Sequence, residues 1–181
     1  MNRTVAASLA AALLAVAPAA LADEAMGKGK GAPAPVEPAN PRLDRLKALA
    51  GGWHGTARAG PEKVPGSTRA TIRVVSAGSA VMLVTDPGTD HEMVTMFHPD
   101  DGQLLATHYC AARNQPRLRS TGKDEAGRLT FEFVDGTNLK THPGRMDRLV
   151  ITVPDADHHL QEWTFRDGGT VQVMTFEMVR D

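Results

Sequence analysis

The chain has 181 residues, with 20 Lys and Arg against 21 Asp and Glu and a net charge of −1. That near balance excludes the basic surplus of a nucleic-acid binder, and no block of like charge marks an interaction tail. A single cysteine, Cys110, excludes an internal disulfide, so packing alone must hold the domain.

Residues 1–22 read as a secretory signal. Arg3 gives the basic start, residues 5–17 are almost wholly apolar, and Ala20-Leu21-Ala22 is the small-x-small pattern that a signal peptidase cleaves. The apolar run falls short of the roughly 20 residues a membrane helix needs. No cysteine follows it to carry lipid. The expectation is cleavage after Ala22 and a periplasmic or secreted protein with no membrane anchor after cleavage. Removing 22 residues from 181 leaves 159, one domain's worth.

Residues 23–41 form an expected flexible spacer. Gly27-Lys28-Gly29-Lys30-Gly31 and Ala32-Pro33-Ala34-Pro35 bury too little apolar surface to offset the entropy of ordering. Residues 42–50 then predict a short helix, with Leu43, Leu46 and Leu49 along one side and Gly51-Gly52 ending it.

Beyond Trp53 the period becomes two. Leu129, Phe131 and Phe133 alternate with Thr130 and Glu132, the pattern of a half-buried strand. Leu149, Ile151 and Val153 alternate with Val150 and Thr152, a strand covered on both faces. Met174, Phe176 and Met178 mark another, and residues 69–75, 80–85, 93–98, 104–110 and 160–166 add more. The links are tight-turn chemistry, as in Asp86-Pro87-Gly88 and Asp167-Gly168-Gly169, and short links join only antiparallel neighbours. Residues 42–181 are therefore one all-β domain: an antiparallel up-and-down barrel of about eight to ten strands behind one short helix.

The segment Leu46-Lys47-Ala48-Leu49-Ala50-Gly51-Gly52-Trp53-His54-Gly55-Thr56 resembles the entrance to a lipocalin-like barrel of the fatty-acid-binding type. That resemblance implies Trp53 packed across a closed bottom, with Arg180 laid over it from the chain end. It also implies a lumen that takes a small molecule. Residues 107–116 (THYCAARNQP), together with Asp155-Ala156-Asp157-His158 and Glu162-Trp163, resemble a group of secreted bacterial proteins of uncharacterised function. Arg145 and Asp147 stand where that group's pattern calls for histidines, which weakens a metal site there.

The densest polar cluster is His108-Tyr109 with Arg113-Asn114-Gln115. Polar groups at the rim of an apolar barrel orient a ligand, and Arg113 suits an anion. The competing reading is a structural corner whose polar side chains satisfy backbone groups. Glu162 is a further candidate, facing inward with Arg148 or Arg119 as its partner, or serving as a general base beside His108. Adjacent His158 and His159 point to opposite faces, so they cannot share one ion without a bend, and no metal is assigned. Nitrobindin-like barrels ligate haem through an interior histidine, which here would be His108. Nothing else in the sequence supports a cofactor, and none is assigned. Nucleophile-elbow, P-loop and zincin motifs are missing, so no catalytic residue is named. Methionines 82, 93, 96, 146, 174 and 178 in apolar segments suit either core filling or an adaptable pocket. Three roles follow: a carrier of a small, mainly apolar or amphipathic molecule, an enzyme using His108 and Glu162 in the same cavity, or a cell-envelope interaction module.

Overall fold

Asn40 sets where the first helix starts. Its side-chain oxygen accepts from the backbone N–H groups of Arg42 and Leu43 at 3.1 and 3.2 Å, and Pro41 takes a first-turn position that needs no donor. The computed structural model describes residues 39–60, 66–122, 125 and 127–181. The expected signal sequence and all but the end of the expected spacer lie outside the described residues. Of the residues assigned to the spacer, Pro41 opens helix α1, Pro41–Ala48, and Asn40 caps it. Leu43, Leu46 and Leu49 are at most 3% exposed and seal one end of the barrel.

Ten strands follow: β1 (Gly51–Ala59), β2 (Gly66–Val75), β3 (Ala80–Thr85), β4 (Met93–Asp100), β5 (Gln103–Tyr109), β6 (Gln115–Ser120), β7 (Arg128–Thr137), β8 (Arg145–Thr152), β9 (His158–Asp167) and β10 (Thr170–Arg180). Each pairs antiparallel with its chain neighbours, and β1 also pairs with β10 to close the ring. The expected all-β closed meander is thus the observed one. Turn chemistry sets the links: Asp101 and Gly102 between β4 and β5 both take left-handed φ, 48° and 78°, as a two-residue hairpin requires. At the β1–β10 seam a side chain on Gly55 would lie 1.9 Å from the carbonyl oxygen of Glu177, so only glycine allows that approach.

The period-two pattern becomes an inside and an outside. Trp53, Phe97, Leu104, Leu118, Phe131 and Leu149 point into the ring and are at most 1% exposed. Val150 faces outward yet is 2% exposed, so β8 is covered on both faces as its sequence implies. The expected cover over Trp53 is present. The Arg180 guanidinium lies 4.3 Å from its ring centroid and donates to the carbonyls of Ala48, Ala50 and Ala156. Trp53 Nε1 donates to Leu49 O at 2.9 Å, tying helix to barrel.

Candidate functional site: the barrel lumen

Alternation from buried neighbours fixes what faces the lumen. On β5 it brings in Leu104, Ala106 and His108; on β9, His159, Gln161 and Trp163. These two strands are four steps apart around the ring in one direction and six in the other. His108 and Trp163 therefore meet across the lumen, their ring centroids 4.7 Å apart. This pair is a crossbar with a different interior on each side.

Toward the helix the lumen is full. An enclosed cavity of about 10 Å³ remains between α1, Ile72, Val81, Phe97 and Ile151, room for at most one water. Toward the other end, the mouth, several inward-facing apolar side chains lose their cover, although Met146, paired with Phe165, stays buried. Ala57, Met93, Phe165 and Met174 continue the inward rows of β1, β4, β9 and β10 but are only half-buried. Thr68 and Thr85 stand among them and are buried.

A string of polar contacts threads the filled half. Trp163 Nε1 donates to Gln161 Oε1 at 3.0 Å, which fixes the amide and leaves Gln161 Nε2 to donate to His159 Nε2, also at 3.0 Å. His159 then carries its own proton on Nδ1, and its ring meets Trp53 edge-on at 4.3 Å. His108 Nδ1 lies 2.8 Å from Thr95 Oγ1, while its Nε2 is buried with no partner. Burial drives both histidines down to about 4, helped at His159 by the charge of Arg180, so both rings are neutral at pH 7.

The residues singled out from sequence separate into distinct places. His108 alone enters the lumen. Tyr109, the next residue, is 51% exposed on the outer wall. With Gln115 it borders an outer groove of about 590 Å³ that also holds the Arg117–Asp135 ion pair and Thr137. Arg113 is exposed, in left-handed backbone at φ 67°, and its N–H donates to Cys110 O within the β5–β6 turn. Asn114 is fully buried, and its Nδ2 donates to the carbonyls of His142 and Gly144 at 2.7 and 2.6 Å, pinning the β7–β8 connection to that turn. Gln115 Oε1 accepts from Thr137 and Asn138. Residues 114 and 115 thus serve the corner that sequence offered as the competing reading.

Glu162 corrects an expectation. Flanked by inward Gln161 and Trp163, it faces outward, and the cation it meets is neither Arg148 nor Arg119 but Arg128, 3.9 Å away. A carboxylate on the outer wall cannot exchange a proton with His108 inside, so the enzyme reading built on that pair is set aside. His158 and His159 do face opposite ways: His158 is exposed and meets Asp155 at 2.9 Å, while His159 is buried.

Three lumen residues went unread in the sequence: Thr95, Gln161 and His159. Counting back by twos from Trp163 would have placed the last two inside. The outward row Leu160-Glu162-Thr164 begins with the one aliphatic residue of the segment and masks that phase.

No family model matches the chain, and no curated protein matches it. Among solved structures, Rv2717c from M. tuberculosis is similar in fold, with 17% sequence identity, 78% of this chain and 98% of that chain covered, and a TM-score of 0.52. That likeness shows the barrel fold alone.

Proposed function

We infer that this protein is exported and holds a small, mainly apolar molecule in the mouth half of its barrel. The observation that carries the reading is a mismatch above the crossbar. Inward-facing Met93, Phe165 and Met174 are left partly open, and in the same lumen burial has stripped a His108 nitrogen of water without giving it a partner. An orphan polar atom of this kind costs about 1–3 kcal/mol, which a ligand's polar group would recover. Apolar walls with a few fixed polar atoms are what small-molecule sites share.

Export rests on residues 1–22. Protein recovered from the periplasm or medium of an expressing bacterium should begin at Asp23. Native mass spectrometry of that material should show an added mass, lost when Ala57→Trp fills the mouth. Protein that retains residues 1–22 would remove the export reading. An unadorned mass in both forms, with no small molecule in an organic extract, would remove the ligand reading. A Soret absorbance band in the same sample would identify the occupant as haem on His108 Nε2, the second reading that this free nitrogen admits.

The interaction-module reading has less behind it. Of the exposed large apolar side chains among the described residues, Val171, Val173 and Val179 share the outward row of β10, while Val74, Tyr109 and Val134 stand singly on three other strands.

A further inference from the structure

The outer wall carries a second site, separate from the lumen. Strands β5 and β6 pair only as far as Thr107 and Arg117. Beyond that point β5 stays on β4, with Tyr109 opposite Val94, and β6 stays on β7, with Gln115 opposite Thr137. The seam between β5 and β6 opens where β6 carries Pro116, which has no N–H to give a ladder. A bulge lies at the same level: Arg117 faces Asp135 and Leu118 faces Phe133, so Val134 is an extra residue on β7. The outer groove of about 590 Å³ lies along this opening. Small-molecule clefts span roughly 300–1,000 Å³.

The polar side chains of the groove hold one another in place. Arg117 donates through Nε and Nη2 to the two carboxylate oxygens of Asp135. Those hydrogen bonds keep the Asp135 carboxyl below its usual range, so at neutral pH it only accepts. Gln115 Oε1 accepts from Thr137 Oγ1 and Asn138 Nδ2, which fixes the amide and leaves its N–H groups to point elsewhere. Side chains tied in this way lose little further freedom when a ligand arrives. Each keeps spare capacity: a lone pair on each Asp135 oxygen, the N–H groups of Arg117 Nη1 and Gln115 Nε2, and the lone pairs of the Thr137 hydroxyl. Arg117 and Asp135 are the only charged residues of the lining, and they cancel. Beside them stands Tyr109, the only tyrosine of the chain, 51% exposed. A lone exposed aromatic on a sheet face is ordinary. One that borders a groove of fixed groups with unused hydrogen bonds suits a ligand.

The complement of this lining is a molecule with hydroxyls around its rim and an apolar C–H face, which is a sugar ring. Each hydroxyl gives and takes a hydrogen bond, matching the Asp135 acceptors and the Gln115 and Arg117 donors. The C–H face packs on the electron-rich face of an aromatic ring. We propose that the groove between β5 and β7 binds a neutral saccharide, with Tyr109 stacked on one sugar ring and Gln115, Arg117 and Asp135 holding its hydroxyls.

A protein labelled only at tyrosine gives one set of ring signals, all from Tyr109. Titrated with cellotriose, maltotriose and tri-N-acetylchitotriose, that set should shift with at least one sugar and saturate at millimolar concentration or below. By calorimetry, Tyr109→Ala should weaken the same binding tenfold or more, and Asp135→Asn should weaken it several-fold. Both positions are about half exposed, so both variants should keep the parent's urea midpoint. Co-sedimentation with insoluble cellulose or chitin separates a polymer from a free oligosaccharide as the source of the sugar. Tyrosine signals unmoved by all three sugars, or binding that survives both substitutions, would overturn the proposal. Neither result bears on the lumen, whose occupant is read from the added mass.

Discussion

The two halves of the lumen are built from the same strands and the same alternation, yet they pack differently. On the helix side the inward rows end on Trp53, Ile72, Val81, Phe97 and Ile151, with α1 laid across them, and about 10 Å³ stays empty. On the mouth side the same rows end on Ala57, Met93, Phe165 and Met174, and no helix covers them among the described residues. The difference teaches that ring closure alone does not decide whether a barrel is solid; the side chains at each level and the lid at each end do. The His108–Trp163 contact is the boundary.

The sharpest way to break the comparison is to remove one large side chain from each half. Trp53→Ala should cost about 3–5 kcal/mol in denaturant unfolding, since it leaves a void and takes away the surface under Arg180. Met174→Ala should cost only about 1 kcal/mol, because the half-exposed thioether gives up less burial. Equal losses would mean that the mouth is as tightly packed as the floor.

Acid comes next, acting on both sides of the boundary. His108 and His159 sit near 4 in the folded chain against 6.5 when unfolded, so the unfolded chain binds more protons between those values. Stability should be fully present above pH 6.5 and fall as the pH drops toward 4, by on the order of 3 kcal/mol per histidine. Urea unfolding across that range measures it. His159→Phe should flatten one share of the slope and His108→Phe the other. A flat profile in the parent protein would place both rings in contact with water.

A smaller effect is expected at the corner. Asn114→Ala removes two hydrogen bonds to the β7–β8 connection and should cost about 1–3 kcal/mol. Hydrogen exchange should quicken over residues 138–144 and stay unchanged near Trp53. Smallest of all, Glu162→Gln on the outer wall should stay within about 0.5 kcal/mol and leave any ligand bound.

Much of the architecture was legible because it rests on local rules. Leucines at helical spacing gave α1, alternating aromatics gave β7, and turn residues gave the antiparallel order. Strand β6 escaped notice because its inward row is Pro116, Leu118 and Ser120, with one strong apolar residue among three and a proline that argues against a strand. The site was less legible, since it depends on which strands face each other across the ring. His108 could be placed on the inner face from its neighbours, but nothing in the linear order shows that Trp163 lies opposite. Glu162 was misplaced because the buried face of β9 carries His159 and Gln161, so polarity no longer separates inside from outside there.

The seam between β1 and β10 has one more consequence, for how the chain reaches this state. Every other pairing joins strands that follow each other, while this one joins Trp53 to Arg180 and Ala59 to Met174. Its closure must bring together chain segments separated by most of the domain, which makes it the slowest ladder to form by loop entropy. Until it zips, two unpaired strand borders stand open to foreign chains. The nascent protein is most prone to aggregate in the interval before its last strand docks on its first.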